Sequence, residues 1–194
     1  MSARRDEIVA VARQLFAERG YLGTSMRDIA DASGLLAGSL YTHFDSKARL
    51  VEEIVGVFYR DLIDAQTRAA AFKGTGAMRF RLLLRATYDV CERYPEELTI
   101  LHYDWQALST LDELHDVREI SVRTLTTWRR VIKDGIADGT LQPTMSPELV
   151  SRMATGAIHA MLDPVRYSDH PASKKSNPYQ QLETVFLDGL ELTP

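Results

Sequence analysis

The chain has 194 residues, of which 45% are hydrophobic and 26% are charged, as in an ordinary globular protein. This length suffices for one sizeable core with a small appended module, and the composition excludes a collagen, a disulfide scaffold and a disordered chain. The longest apolar runs fall far short of the roughly 20 residues that span a bilayer, and the N-terminal residues lack the layout of a secretory signal. The single cysteine, Cys91, favours a reducing cytoplasmic location, and no membrane partner is expected.

The net charge of −4 is unevenly distributed along the chain. Residues 1–50 contain seven Lys/Arg and six Asp/Glu, whereas residues 51–194 contain sixteen and twenty-one. A near-neutral N-terminal part can meet DNA while a larger acidic part faces away from it. Chance asymmetry is the alternative, and charge alone does not separate the two interpretations.

Apolar residues recur at i, i+3 and i+4 spacing through almost the whole chain, which predicts an all-α fold. Ser25, followed three residues later by Asp28, predicts a capping box at the start of a short helix. Gly20, Gly34 and Gly139 are expected to end helices, since glycine suits the backbone conformation of a helix end. The predicted helices cover about 3–19, 26–33, 36–43, 47–66, 77–93, 96–108, 112–138, 147–163 and 179–191, with loops at Gly74–Gly76 and 168–178.

Two of these helices are short and are joined by a tight turn at residues 33–35. This is the spacing of a helix-turn-helix, whose second helix can lie in the major groove of DNA. The second helix has no acidic residue to repel phosphate, its apolar residues Leu40 and Phe44 are expected to point inward, and Gly38 allows close backbone approach. Its outward polar side chains can donate to phosphate oxygens or base edges: Ser39, Tyr41, Thr42 and His43. The alternative is that Tyr41 and His43 only pack against the first helix.

The residues around this turn resemble the TetR family of bacterial repressors. The resemblance covers about residues 5–55 and rests on Phe16-Ala-Glu-Arg-Gly20-Tyr21, Thr24-Ser-Met-Arg-Asp-Ile-Ala30, Gly34, Gly38-Ser-Leu-Tyr41-Thr-His-Phe44 and Ser46-Lys47. It implies an N-terminal helix-turn-helix domain over residues 1–46 and a helical domain over residues 47–194 that binds a small molecule and dimerises. The implied partners are a double-stranded DNA operator, a second copy of the chain and a small-molecule inducer.

The resemblance also implies which residues touch DNA. The positions that match phosphate contacts are Thr24, Ser25, Tyr41, His43 and Lys47, and those that match the groove-facing set are Arg27, Ala37, Gly38, Ser39, Tyr41 and Thr42. This chain departs from the family at Leu36, where Ser or Thr is common, and at Ala37, where a basic residue is common. Leu36 cannot cap the recognition helix through its side chain, and loss of a cap costs about 1 kcal/mol. Leu36 and Ala37 can instead touch thymine methyl groups, and a modest salt dependence of DNA binding is expected.

Aromatic residues with polar tips on the later helices are candidates for lining a ligand pocket. They are Tyr88, His102, Tyr103, Trp105, Trp128 and His159, and the alternative for each is an ordinary core position. The residues from Gly34 to Tyr41 most resemble family members that repress steroid or fatty-acid catabolism and respond to acyl-CoA thioesters. The expected inducer is therefore a small hydrophobic molecule or an acyl-CoA thioester.

Apolar residues on the last two helices are candidates for a dimer interface. They are Met153, Ala157, Met161, Leu182, Val185 and Phe186, and packing within one chain is the alternative. Two helices from each of two chains would form a four-helix interface, and a palindromic operator needs a two-fold protein.

Catalytic and metal-binding patterns give no support for an enzyme. The histidines have no i, i+4 pair, Cys91 has no cysteine partner, and no phosphate-binding loop is present, so neither a metal nor a cofactor is expected. The sequence predicts a ligand-responsive transcriptional regulator that acts as a repressor. One alternative is a helical small-molecule-binding protein that has lost specific DNA readout, and the departures at Leu36 and Ala37 are the reason to retain it. An all-α enzyme is a further alternative.

Overall fold

A computed structural model of the chain describes residues 3–142, 145–162 and 177–190. These residues form nine α-helices and one short 3-10 helix without any strand, which confirms the predicted all-α fold. In chain order the α-helices are α1 (Ala3–Arg19), α2 (Met26–Ala32), α3 (Ala37–Tyr41), α4 (Lys47–Ala70), α5 (Gly76–Arg93), α6 (Pro95–Leu108), α7 (His115–Ala137), α8 (Pro147–Leu162) and α9 (Pro178–Leu190). The 3-10 helix (Asp112–Leu114) directly precedes α7. Residues 168–176 of the predicted loop at 168–178 lie outside the described residues.

The helix ends follow the local chemistry of the sequence. The Ser25 side chain accepts the N–H of Asp28, and the Asp28 carboxylate accepts the N–H of Ser25, so the predicted capping box is confirmed. Gly20, Gly34 and Gly139 have φ angles of 77°, 65° and 74°, the left-handed conformation that glycine adopts without a steric penalty.

The chain divides into two compact units. The first unit comprises Met1–Tyr59 and Glu96–Glu119, and the second comprises Arg60–Pro95 and Ile120–Pro194. A single cut after residue 46, as the sequence predicts, would separate α6 from α1. In the structure the carboxylate of Asp104 on α6 accepts the N–H of Tyr21 at 2.8 Å, so residues distant in sequence join the N-terminal helices in one unit.

The first unit has an apolar interior to which each of its first four helices contributes. The largest fully buried side chains there include Phe16 from α1, Ile29 from α2, Leu40 from α3 and Leu50 from α4. Burial of these side chains from successive helices fixes α2 and α3 against α1, which sets the orientation of the short α3 helix.

The second unit is built around aromatic side chains and one very close helix contact. The Phe80 ring meets the Trp128 ring edge-on at 5.6 Å and lies 6.4 Å from Phe186. A Cβ added at Gly76 would lie 2.0 Å from the Cα of Gly135, so two glycines let α5 and α7 touch through their backbones. Gly76 is therefore the first residue of a packed helix, and the prediction that it belongs to a loop with Gly74 is wrong.

No helix among the described residues is both long and apolar enough to cross a membrane.

Candidate nucleic-acid interface

Helix α3 presents an uncharged outer surface. Leu40 is fully buried and Phe44 is 2% exposed, so the prediction that both point inward is confirmed. The remaining side chains from position 36 to position 42 lie outside: Leu36, Ala37, Gly38, Ser39, Tyr41 and Thr42. The hydroxyl of Thr42 donates to the carbonyl of Ser39 at 2.7 Å, whereas Leu36, immediately before the helix, makes no side-chain cap. The resulting surface combines hydroxyl groups with exposed carbon and carries no formal charge.

Two arginines from α1 hold the segments on either side of α3. Arg4 donates to the carbonyl of Ser33 at 2.7 Å, in the turn between α2 and α3. Arg5 donates to the carbonyl of His43, pairs with Glu53 of α4, and lies 4.0 Å over the ring of Phe44. His43 is half-buried, and its backbone rather than its ring takes part in this contact. These hydrogen bonds fix the backbone at both ends of the outer surface, which leaves α3 pre-positioned.

Thr24 and Lys47 differ from the expectation that their side chains are available for phosphate. Thr24 is 1% exposed, and its hydroxyl donates to the carbonyl of Gly20 at 2.9 Å. The ammonium group of Lys47 donates to the carbonyls of Tyr21 and Thr24 at 2.7 and 2.8 Å, and it lies 4.1 Å over the Tyr21 ring. The Thr24 side chain therefore ties the α1–α2 turn to the end of α1, and the Lys47 side chain ties it to the start of α4. Burial lowers the pKa of Lys47.

Ser25 and Arg27 lie at the start of α2 and are both exposed. The Ser25 hydroxyl donates to the carboxylate of Asp28 at 2.5 Å, and this hydrogen bond, with that from the backbone N–H of Ser25, lowers the pKa of Asp28. The Arg27 side chain is 85% exposed, and its nearest carboxylate, that of Asp31, lies 3.9 Å away. Arg27 is thus held only weakly within the chain and can turn toward another anion.

Most of the cations in the N-terminal part are bound within the chain. Arg13 pairs with Glu97 at 3.4 Å, and Arg49 pairs with Glu52 at 2.9 Å, in addition to the contacts of Arg4, Arg5 and Lys47. Arg19 and Arg27 remain as the exposed cations without a close ion pair among the described residues of this part. The positive charge available for phosphate is therefore small.

The six predicted ligand-pocket residues do not form one group. His102, Tyr103 and Trp105 lie on α6 in the first unit, and none of the three is buried. Tyr88, Trp128 and His159 lie in the second unit, where Tyr88 and Trp128 are buried and His159 is exposed. The Tyr88 ring packs against the Tyr179 ring at 5.5 Å, as the core interpretation of such residues would have it.

Sequence reasoning missed two polar residues inside the second unit. Gln66 on α4 and Thr87 on α5 are 1% and 2% exposed, and the Gln66 amide donates to the Thr87 hydroxyl at 3.1 Å. The side-chain oxygen of Gln66 and the indole nitrogen of Trp128 are buried and have no hydrogen-bond partner among the described residues. A polar residue at an otherwise apolar helical position is the sequence signal that points to Gln66.

The predicted dimer residues divide into outer and inner positions. Met153 and Val185 are 45% and 70% exposed, and Ala157 and Met161 are partly exposed. Leu182 and Phe186 are 4% and 8% exposed in the single chain, and Phe186 packs near Phe80. Leu182 and Phe186 are therefore buried by packing within one chain, whereas Met153 and Val185 present apolar surface outward.

Comparison with known proteins places this architecture in one family. Residues 8–54 match the family described as bacterial regulatory proteins, tetR family, and residues 73–163 match the tetracyclin repressor-like C-terminal domain. The chain is 33% identical over 158 residues to the HTH-type transcriptional repressor KstR2 of Mycolicibacterium smegmatis, which covers 78% of this chain and 74% of that protein.

Solved structures share the fold over almost the full chain. The ketosteroid transcriptional regulator KstR2 of Mycobacterium tuberculosis superposes with a TM-score of 0.85 at 24% identity, covering 100% of this chain and 97% of that one. The structure of AibR in complex with isovaleryl coenzyme A and operator DNA gives a TM-score of 0.76 at 20% identity, covering 94% and 96%. From these sequence matches and the helix-turn-helix geometry, the chain belongs to the TetR family of bacterial regulatory proteins.

Proposed function

We propose that this TetR-family protein is a homodimeric transcriptional repressor that releases its operator when a small hydrophobic or acyl-CoA-type molecule binds. The observation that carries the proposal is the outer surface of α3, which is exposed, free of acidic groups and held at both ends by Arg4 and Arg5. A surface of this kind fits a DNA groove, because hydroxyl and apolar groups can meet base edges without repelling phosphate.

The proposed DNA contacts follow from which side chains are exposed. Arg27 on α2, and Ser39 and Tyr41 on α3, carry groups that can donate to DNA. Ser25 is exposed beside them, with its hydroxyl hydrogen-bonded to Asp28. Ala37 and Gly38 add carbon and bare backbone, and Thr42 and His43 lie at the far end of the same surface. Thr24 and Lys47 take a different role, since their side chains position the α1–α2 turn.

A second copy of the chain is the proposed partner of the outer faces of α8 and α9. Leu149 and Met153 on α8 and Val185 on α9 are 47%, 45% and 70% exposed, which is costly for large apolar side chains unless something covers them. A Cβ added at Gly156 or Gly189 would meet no described atom outside its own helix within 4 Å, so a partner helix can approach closely there. A dimer would place two recognition helices on successive half-sites of a palindromic operator.

The interior of the second unit supports a ligand site in that part of the chain. Burying an unpaired polar atom is unfavourable, and a bound molecule that donates to the Gln66 oxygen or accepts from the Trp128 indole N–H would remove that penalty. The acyl-CoA class is proposed from the resemblance of residues 34–41 to regulators of lipid catabolism and from the solved AibR complex with isovaleryl coenzyme A. The ligand must bind the DNA-incompetent state more tightly, and a tenfold release of operator needs about 1.4 kcal/mol of difference.

Helix α4 is the proposed route by which the ligand changes DNA binding. Its first residue, Lys47, is hydrogen-bonded to the carbonyls of Tyr21 and Thr24, so a shift of α4 would move the turn that begins α2. Gln66 lies on the same continuous helix. Movement of one end of α4 can therefore move the other end, so the two sites can be coupled without touching each other.

The test is fluorescence anisotropy of the purified protein on DNA from upstream of its own gene, with excess nonspecific competitor and with or without acyl-CoA thioesters. We expect specific binding that a thioester reverses. Arg27→Ala and Tyr41→Ala should each weaken binding about tenfold without unfolding the protein, whereas Arg123→Ala, an exposed arginine on α7, should not. Unchanged affinity in both Arg27→Ala and Tyr41→Ala would contradict the contact assignment.

The same titration at several salt concentrations measures how many phosphates the protein neutralises. Arg19 and Arg27 from each of two chains give four available cations, and each neutralised phosphate contributes about 0.9 to the slope of log K against log salt. The expected slope is therefore about −4. A slope steeper than roughly −8 would mean that the ion pairs of Arg5, Arg13 or Arg49 open on DNA. Absence of specific binding on this DNA and on a genomic fragment pool would instead favour a ligand-sequestering protein.

A further inference from the structure

Leu36 is the most exposed of the large apolar side chains among the described residues. It is 81% exposed and stands immediately before α3, with φ −70° and ψ 142°. This is the capping position, where a side-chain oxygen would accept a backbone N–H, yet here no side-chain cap is made. Leu36 therefore provides no side-chain cap and exposes an apolar side chain.

The location of Leu36 indicates which kind of chemical group could cover its side chain. In a helix-turn-helix, residues at the beginning of the second helix meet base edges in the major groove. Ala37 and Gly38 follow Leu36 and are exposed, so the start of the α3 surface is apolar and has no side-chain hydrogen-bond donor. Among the groups that base pairs present in the major groove, the apolar one is the 5-methyl of thymine.

We propose that Leu36 reads the 5-methyl group of a thymine in each operator half-site. The proposal rests on the proposed function, since it requires that α3 enters the major groove. It assigns a specificity-determining role to a residue that has no hydrogen-bonding group. It also explains why an uncharged surface can be selective, because a leucine against a guanine or cytosine edge would leave that base's polar atoms without water or a partner.

The experiment removes one methyl group from the DNA at a time. Once a specific operator has been identified, each thymine is replaced by uracil, which pairs in the same way but lacks the 5-methyl group. We expect one thymine in each half-site at which this replacement weakens binding about fourfold, the factor for exposing one buried methyl-sized group. Replacing both symmetry-related thymines should weaken the dimer about sixteenfold.

Variants of the protein show whether Leu36 is the reader. Leu36→Ala should bind the thymine and uracil operators within twofold of each other, whereas Leu36→Met, which keeps an apolar side chain of similar reach, should retain the discrimination. Leu22 is a matched control because it is 75% exposed in the α1–α2 turn, and Leu22→Ala should discriminate as the parent protein does. Circular dichroism would verify that each variant is folded, as expected for changes at exposed positions.

Three results would overturn the proposal. Equal affinity of the unmodified protein for all uracil-substituted operators would show that no thymine methyl is read. Full discrimination by Leu36→Ala would assign the reading to another residue. Failure to bind any specific DNA would overturn the proposed function as well, and this outcome is distinct from specific binding that is insensitive to uracil.

Discussion

The two units of this protein differ in where their unfavourable features lie. In the first unit Leu36 is exposed, and a Cβ added at Gly38 would meet no described atom outside its own helix within 4 Å. The second unit exposes Val185, and it also buries the Gln66 oxygen and the Trp128 indole N–H without partners among the described residues. A residue that lowers stability within its own unit points to something that binds it. The first unit therefore points to a partner at its surface, and the second to a ligand in its interior.

Glu97 in the first unit shows the limit of this comparison. Its carboxylate is 2% exposed, and one oxygen lacks a partner, but the other pairs with Arg13. Burial raises the pKa of Glu97, and the nearby arginine opposes that rise. A half-satisfied carboxylate differs from Trp128, whose one polar side-chain atom has no partner among the described residues. The second unit therefore offers the stronger indication of a ligand.

The strongest test of the comparison substitutes a glycine inside the second unit. A Cβ at Gly76 would lie 2.0 Å from the Cα of Gly135 and 2.3 Å from its nitrogen, so the backbones of α5 and α7 would have to separate. Overpacking that forces the backbone to move costs about 1–3 kcal/mol, and a contact as short as this one favours the upper end, about 3 kcal/mol. We expect Gly76→Ala to lower the free energy of unfolding by that amount, measured by urea denaturation. The same change at Gly38 in the first unit is the control, and equal losses would remove the distinction between the two glycines.

The helical architecture was predictable from sequence because periodicity and end signals agree. The capping box at Ser25, the left-handed glycines and the break before Pro95 each depend on residues near one another in the chain. The close contact of Gly76 with Gly135 was not predictable, because it depends on how two distant helices meet. The hydrogen bonds of the Thr24 and Lys47 side chains were not predictable either. Their partners are backbone carbonyl groups, which every residue has, so the residue types do not indicate which carbonyl is near.

The candidate DNA surface was more predictable than the proposed ligand site. The i, i+4 spacing of the apolar Leu40 and Phe44 is enough to identify which residues of α3 lie outside. A ligand site instead needs side chains from several helices, and the predicted aromatic residues fall in both units. The buried Gln66–Thr87 hydrogen bond joins α4 and α5, and nothing in either helix alone indicates that the other supplies the partner.

A smaller effect is expected at the surface of the first unit. Ser25→Ala removes the side-chain cap of α2 and should lower the free energy of unfolding by about 1 kcal/mol at neutral pH. Ser25 also holds down the pKa of Asp28, so the stabilisation from that ionised carboxylate is complete above its ordinary value of 3.8 and is lost as the pH falls through the lowered pKa. The difference between the parent protein and Ser25→Ala should therefore shrink on acidification.

Asp28→Asn is the matched variant for this test. It keeps a side chain of the same size but cannot ionise, so a pH-dependent difference that arises from this carboxylate should be absent when Ser25→Ala is made in the Asp28→Asn background. Urea denaturation at pH 7 and at pH 3 would measure both comparisons. A difference that grows on acidification would contradict the sign derived from the pKa of Asp28.

The smallest change in stability is expected at Gly38, and there it should be opposite in sign to that at Gly76. Among the described residues, no heavy atom outside the helix's own backbone and the two neighbours of Gly38 lies within 4 Å of a Cβ added there, and the φ of Gly38 is not in the left-handed region. Gly38→Ala should therefore raise the free energy of unfolding by about 0.5 kcal/mol, because alanine loses less backbone freedom in a helix. On operator DNA the same methyl group must fit between the α3 backbone and the groove, so affinity should fall about tenfold, equivalent to about 1.4 kcal/mol. If Gly38→Ala gained stability and kept its operator affinity, the backbone at this point would not approach DNA, and glycine here would need another explanation.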